Sequence, residues 1–173
     1  MGINDNLIED YRNIVTNKIL SNEKIVAVLG NDEYDLETAD ELLWEHLIPQ
    51  QYVPETVTKT GSFILYDLDE DVVMSRYSTH STYTELTLYF WVFTHKDMPK
   101  YMGNMPGCKN KLRNDILNRE LKLEFNSTGG LGIAKNHLIY SRVITSGNYE
   151  YMGRQLAFKI TDWSDSVRYR GKD

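Results

Sequence analysis

The sequence predicts an α+β fold, an antiparallel sheet of about four strands with helices packed on it, in the order α-α-β-β-α-β-β. Three observations carry that reading. Residues 81–95, STYTELTLYFWVFTH, alternate with the two-residue period of a strand, as do residues 154–163, RQLAFKITDW. Residues 7–19 place their apolar side chains at helical spacing instead. Connections are short, without the strand–helix–strand rhythm of a parallel sheet. At 173 residues the chain can bury one sizeable core. The expected organisation is a single domain over residues 1–163 followed by a polar tail at 164–173.

Leu7, Ile8, Tyr11, Ile14, Val15 and Ile19 form the apolar stripe of the first helix, with Asn4 or Asp5 available as its cap. Thr38-x-x-Glu41 has the form of a capping box and precedes Leu42, Leu43, Trp44 and Leu47. A second helix is therefore expected over 38–47, ended by Pro49, with Pro54 keeping the next stretch extended. Gly61 opens a strand over 62–67, and Asp67-Leu68-Asp69-Glu70-Asp71 reads as an acidic connection to the long strand, its hairpin partner. Residues 96–107, KDMPKYMGNMPG, form an irregular excursion within the domain. A helix follows from Lys109 to about Glu120, with Leu112, Ile116 and Leu123 on one side and Leu117 and Leu121 well round from them. Either it is buried on two sides, or it ends early and Leu121, Leu123 and Phe125 alternate as a short strand. After the glycine-rich connection 126–132, strands over 137–145 and 154–163 close the domain, joined by Ser146-Gly147-Asn148.

The long strand is apolar on both faces. Leu86, Leu88, Phe90 and Val92 fall on one side, and Thr87, Tyr89, Trp91 and Phe93 on the other. An antiparallel sheet usually turns one face to water, and one core covers only one face. The second needs a packed helix or another copy of the protein. Met98, Tyr101, Met102 and Met105, in the excursion that leaves this strand, add adaptable contact residues. Tyr89, Trp91 and Phe93 together with these four are the candidate oligomer or partner interface.

Composition narrows the function classes. An apolar content of 41% with 25% charged residues is that of an ordinary soluble globular protein. The 12 tyrosines suit contact surfaces, though Tyr also favours exposed sheets. A net charge of −6 argues against a broad basic grip on nucleic acid or anionic lipid. The single Cys108 excludes an internal disulfide, fits no zinc-site spacing and suits a reducing cytoplasm. The acidic, amphipathic start MGINDNLIEDYRN is not expected to be a signal peptide. No apolar run approaches the roughly 20 residues of a membrane span. Met1-Gly2 is followed by Asn6, where N-myristoylation wants Ser or Thr.

Motifs for chemistry are weak. Asp67, Asp69 and Asp71 have the opening spacing of a calcium loop, but Val72 stands where the turn needs Gly and Ser78 where the bidentate Glu belongs. TGGLGIA matches neither the dinucleotide fingerprint nor the phosphate loop. His46, His80, His95 and His137 are scattered, and Cys108 has no local nucleophile signature. No catalytic residue, metal or cofactor is expected. Lys109, Lys111, Arg113, Arg119 and Lys122 form the densest basic stretch, interrupted by Asp115 and Glu120. It is a solvated helix face, or a surface that touches DNA phosphates in passing.

The chain resembles the tail-terminator, or tail-completion, proteins of long-tailed bacteriophages and their relatives in the phage neck. The resemblance lies in the amphipathic first helix, VPETVTKTGSFILYDLD ahead of YTELTLYFWVFTH, the helix near KNKLRNDILNREL, and the final pair ending in YMGRQLAFKITDW. It implies a non-enzymatic virion subunit at the head–tail junction, assembled in the host cytoplasm, that forms a homo-oligomeric and typically hexameric ring. Its partners would be further copies of itself, the tail tube protein and a head-completion or adaptor protein. DNA would only pass through the lumen, with Lys109, Lys111 and Arg113 as residues facing it. A closed ring also accounts for a two-faced strand, because head-to-tail contacts need two different surfaces on each subunit. A head-completion adaptor or another neck or tail component is the neighbouring expectation. The alternatives of a different class are a small cytoplasmic enzyme or ligand-binding domain near His95, His137 and the glycine loop, and an interaction domain such as an immunity protein.

Overall fold

A computed structural model of the chain describes residues 7–50, 61–74, 82–126, 135–145 and 150–162. Three α-helices, α1 (Leu7–Leu20), α2 (Glu23–Leu29) and α3 (Arg113–Phe125), accompany strands β1 (Leu47–Ile48), β2 (Ser62–Met74), β3 (Thr82–His95), β4 (Lys135–Thr145) and β5 (Tyr151–Asp162). The strands form one sheet in the order β1-β2-β3-β5-β4. Four of them are antiparallel, and β1 adds to β2 in parallel through Leu47↔Ile64 and Ile48↔Leu65, which makes the sheet mixed. The fold class is α+β, as the sequence predicts, with a two-residue fifth strand that its patterning does not show.

The long strand is the middle of this sheet. It pairs with β2 from Ser62↔Thr94 to Met74↔Thr82, and with β5 from Thr84↔Asp162 to His95↔Tyr151. Leu86, Leu88, Phe90 and Val92 are fully buried and join Ile64, Tyr66, Leu68, Leu156, Phe158 and Ile160 beneath the helices. From α1 the core takes Tyr11, Val15 and Ile19; Ile14, at 36% exposure, stays outside the expected stripe. α3 runs its full length as a helix and turns Ile116, Leu117, Leu121 and Phe125 inward. That settles the choice left open at 121–125 for a helix. Leu112 and Leu123 stand on the outside, because Leu117 and Leu121 define the packed side.

Two elements differ from expectation. The second helix is α2, earlier than the expected 38–47. Its EKIVAVL is apolar at five consecutive positions, Ile25 to Leu29, all buried, so it has no amphipathic period to find. Asn22 caps it, its side chain accepting from the N–H groups of Lys24 and Ile25 at 3.1 Å each. Residues 38–47 instead make one 3₁₀ turn (Ala39–Leu42) and the short strand β1. The Thr38 side chain makes no cap there, because its hydroxyl donates back to Asp35 Oδ1 at 3.0 Å. That carboxylate also accepts from the Thr38 and Glu37 N–H groups, and the Thr38 N–H, the Thr38 hydroxyl and the Glu37 N–H, in that order, hold its pKa below the usual carboxylate range. The second difference is that β2 continues to Met74, so the acidic run from Asp67 lies within a strand and not at a hairpin tip.

The glycine connection from 127 to 132, Ser146-Gly147-Asn148, His80, Pro54 and the tail at 164–173 lie outside the described residues. Core substitutions should follow the layering. Phe90→Ala removes a ring packed 5.0 Å from Phe125 and 5.9 Å from Phe158, and should cost about 3–5 kcal/mol in urea unfolding. Asn22→Ala, which removes the α2 cap, should cost only about 1 kcal/mol.

Candidate assembly surface

All three helices pack on one side of the sheet, and no helix residue belongs to the cluster on the other. The period of two fixes what that second face carries. Read across the strands, its rows are Phe63–Phe93–Gly153–Ile144, Leu65–Trp91–Gln155–Arg142, Asp67–Tyr89–Ala157–Tyr140 and Asp69–Thr87–Lys159–His137. Phe63 packs 5.2 Å from both Phe93 and Tyr151, which closes one end of the face with aromatic rings. Gly153 is required in that row. A Cβ there would lie 2.7 Å from Ile144 Cγ1 and 2.9 Å from Phe93 Cε1, so the Phe93 ring sits directly over bare backbone.

Beyond this cluster the face opens. Tyr89 and Trp91 stack at 5.7 Å, both half-buried, and form the floor of a hollow of about 510 Å³. Its β2 side is acidic, with Asp67 and Asp69, and its β4 side presents Arg142. The Arg142 guanidinium lies 5.0 Å over the Tyr140 ring and donates from Nε to Gln155 Oε1 at 2.8 Å, which holds it in place. At the acidic end Lys159 pairs with Glu85 at 2.8 Å.

The excursion after β3 behaves differently from its sequence reading. Tyr101 is fully buried and belongs to the helix-side core, so it is removed from the candidate interface. Its hydroxyl donates to the Asp32 carboxylate and accepts the Met105 N–H at 3.1 Å, while its backbone bonds Lys111 and Asn110. These bonds fold the loop back on itself. Met105 packs against the core, Met98 is half-buried, and Met102, 62% exposed, is the methionine of the three that remains at the surface.

Arg113 is corrected in the same way. Although Lys109 and Lys111 are exposed, Arg113 is completely buried and cannot face a lumen. Its guanidinium donates to Val28 O at 2.8 Å, Asn31 Oδ1 at 2.6 Å and Lys100 O at 3.2 Å, and lies 5.6 Å from the Tyr101 ring centre. Burial lowers its pKa, partly offset by Tyr101 and Asp32. Val28 O is among the carbonyls that the end of α2 leaves unpaired, so the arginine caps that helix from a distant part of the chain.

Trp44, expected inside a helix, is 57% exposed in a turn with φ of +67°, closed by its N–H donating to Leu47 O at 2.8 Å. A bulky residue in the left-handed region costs on the order of 1–3 kcal/mol. It borders a cleft of about 630 Å³ between α1 and residues 43–50, beside Tyr66 and Asp67. His95 and His137 are not brought together: they pair with Tyr151 and Lys159, eight residues apart on β5, or roughly 26 Å. Cys108 is buried in the core. Among the described residues, no group of three His, Cys, Asp or Glu could hold a metal ion, and no helix is long and apolar enough to cross a membrane.

The YomW family model matches residues 22–160, from the Asn22 cap of α2 into β5, well over half of the chain. The chain belongs to the YomW family. The match takes in α2, α3 and the rows of the open sheet face, and leaves α1 outside it. No curated protein matches the chain.

Two measurements check these placements. Arg113→Met should lower stability by at least 2–3 kcal/mol in urea unfolding, since it strands the buried Val28 carbonyl, whereas Lys111→Ala should stay within about 0.5 kcal/mol. Tyr101 is pushed up to about 12, first by burial and then by its bond to Asp32, from roughly 10 in the unfolded chain. The unfolded state thus loses that proton first, and the stability it contributes is complete below pH 10 and falls as pH rises from about 10 to 12. The alkaline fall in unfolding midpoint should be shallower in Tyr101→Phe, with a remaining slope from Tyr66, which burial raises in the same direction.

Proposed function

We propose that this YomW-family chain is a non-enzymatic structural subunit of a bacteriophage-type virion. In this reading it assembles as a homo-oligomeric ring of the tail-terminator kind at the head–tail junction. The observation that carries the reading is the sheet's second face. Its central strand presents Tyr89, Trp91 and Phe93 on the side away from all three helices. Aromatic residues with polar tips and an arginine held over a ring are the composition of contact surfaces. Met102 and Trp44 add exposed apolar area outside that face.

The family match supports a common fold and carries no activity by itself. In the ring, one side would meet the tail tube and the other a head-completion protein. A net charge of −6 suits a channel through which DNA passes without being gripped. With Arg113 buried, Lys109 and Lys111 are the residues left for passing contact with phosphates.

The test is solution mass by light scattering, with negative-stain images, of the protein alone and mixed with tail tubes. Wild type should give a ring of about six subunits, alone or on the tube. Trp91→Glu places a carboxylate on the half-buried face and should abolish assembly, since burying it unpaired costs several kcal/mol. Leu123→Glu, at a 61% exposed position of α3 outside the candidate interface, should fold and assemble like wild type and serves as the surface control. A wild-type protein that stays a compact monomer at high concentration and ignores tubes would sink the reading.

A further inference from the structure

We infer that copies of this chain join head to tail through the two edges of their sheets, β4 of one copy adding to β2 of the next. This rests on the assembly proposed above and names its contact. Among the described strands, β4 is an edge of the sheet. At the other edge β1 covers only Ile64 and Leu65 of β2. Among the described residues, no strand pairs with the outer side of β4 or with the outer side of β2 beyond Leu65. Such edges are ready templates for a further strand.

The backbone pattern says which groups are free. Ile64 N–H points outward, donating to His46 O at 2.8 Å, and His95 N–H points toward β2, donating to Gly61 O at 2.8 Å. In an antiparallel ladder donors alternate sides, so the outward donors of β2 are those of even-numbered residues. Carried through β3 and β5, the same alternation turns Ser141, Val143 and Thr145 N–H outward on β4. The next outward donor after β1, Leu68 N–H, is taken by the Asp67 carboxylate at 2.9 Å, which Arg12 also holds. The open length of β2 is therefore Asp69 to Met74, six residues. On β4 the bulge between Leu138 and Tyr140 ends the regular run, leaving Tyr140 to Thr145, also six.

Charge and direction agree with this pairing. Along β2 the sequence carries Asp67, Asp69, Glu70 and Asp71 with no basic residue; along β4 it carries Lys135, His137 and Arg142 with no acidic one. β4 has no Pro, and past its bulge Val143 is 72% exposed. β2 and β4 run in opposite directions within one copy, so laying copies side by side with their open faces on the same side gives antiparallel pairing. Register is constrained too, since a slip of one residue would turn the open face over. Registers that keep it offset the two six-residue runs by an odd number of residues; an offset of one sets Arg142 opposite Asp71 and an offset of three sets it opposite Asp69. The contact is heterologous, which closes into a ring or continues as a filament according to its rotation.

Val143→Pro removes an outward N–H without touching the ladder to β5. It should leave circular dichroism and the urea midpoint near wild type and reduce the assembled mass to that of a monomer. A charge exchange gives a second readout independent of proline. Arg142→Asp and Asp71→Arg should each fail to assemble alone, and an equimolar mixture, or the double variant in one chain, should recover the wild-type mass. Wild-type assembly by folded Val143→Pro, or failure of the mixture to recover, overturns the edge contact while leaving assembly itself standing. A wild type that never assembles, with or without tubes, overturns both.

Discussion

The helical layer of this protein is organised around one buried cation. Arg113 opens α3, yet its guanidinium is spent on the end of α2, on Asn31 and on the Lys100 carbonyl. Two segments far apart in sequence, residues 28–31 and Lys100, are thus fixed to one planar donor group. Asn31 and Asp32 take up left-handed backbone there, a conformation that short polar side chains tolerate. Asp32 in turn receives the Tyr101 hydroxyl and the Asn104 N–H, so the methionine-rich loop is anchored through the same junction. Without that point of attachment neither the seven-residue α2 nor the loop has enough local structure to hold its position.

A sheet with all its helices on one side has an unequal pair of faces. On the helix side Leu86, Leu88, Phe90 and Val92 of β3 are fully dry, and the Tyr66 hydroxyl that enters beside them is satisfied, bonding Thr16 at 2.6 Å and donating to the Arg12 carbonyl at 3.1 Å. On the other side the aromatic rings pack among themselves at one end and open into a charged hollow at the other. Its two edges differ in charge, acidic along β2 and basic along β4.

Much of this was legible in the sequence for a physical reason. β3 and β5 alternate cleanly because their two faces meet different surroundings, and α1 shows a stripe because only one side of it is wet. The signal fails where burial is uniform or contacts are distant. α2 has no wet side among Ile25 to Leu29 and so no period. Arg113 stands two positions after Lys111, and nothing local distinguishes a solvated cation from one that will cap a helix 85 residues earlier. Tyr101 shares a loop with Met102, and only the Asp32 partner, 69 residues away, decides which of them turns inward. The aromatic face of β3 was visible from alternation alone. Its neighbours Arg142 and Gln155 were not, because the register that places them there exists only once β5 lies between β3 and β4.

Asn114 shows how the two layers move together. Its side-chain Nδ2 donates to the Val92 carbonyl on β3 at 3.1 Å and to the Met152 carbonyl on β5 at 3.2 Å, and Asn118 braces it from the next turn at 2.6 Å. One amide therefore fastens α3 to the two central strands at once. Lifting that helix means abandoning bonds to both strands, so α3, β3 and β5 behave as a single cooperative unit that opens only near the global unfolding free energy. α1 reaches the sheet at β2, where Arg12 bonds Asp67 and Thr16 bonds Tyr66. That unit of α3, β3 and β5 lies almost wholly within the part of the chain that the family shares, and α1 lies outside it.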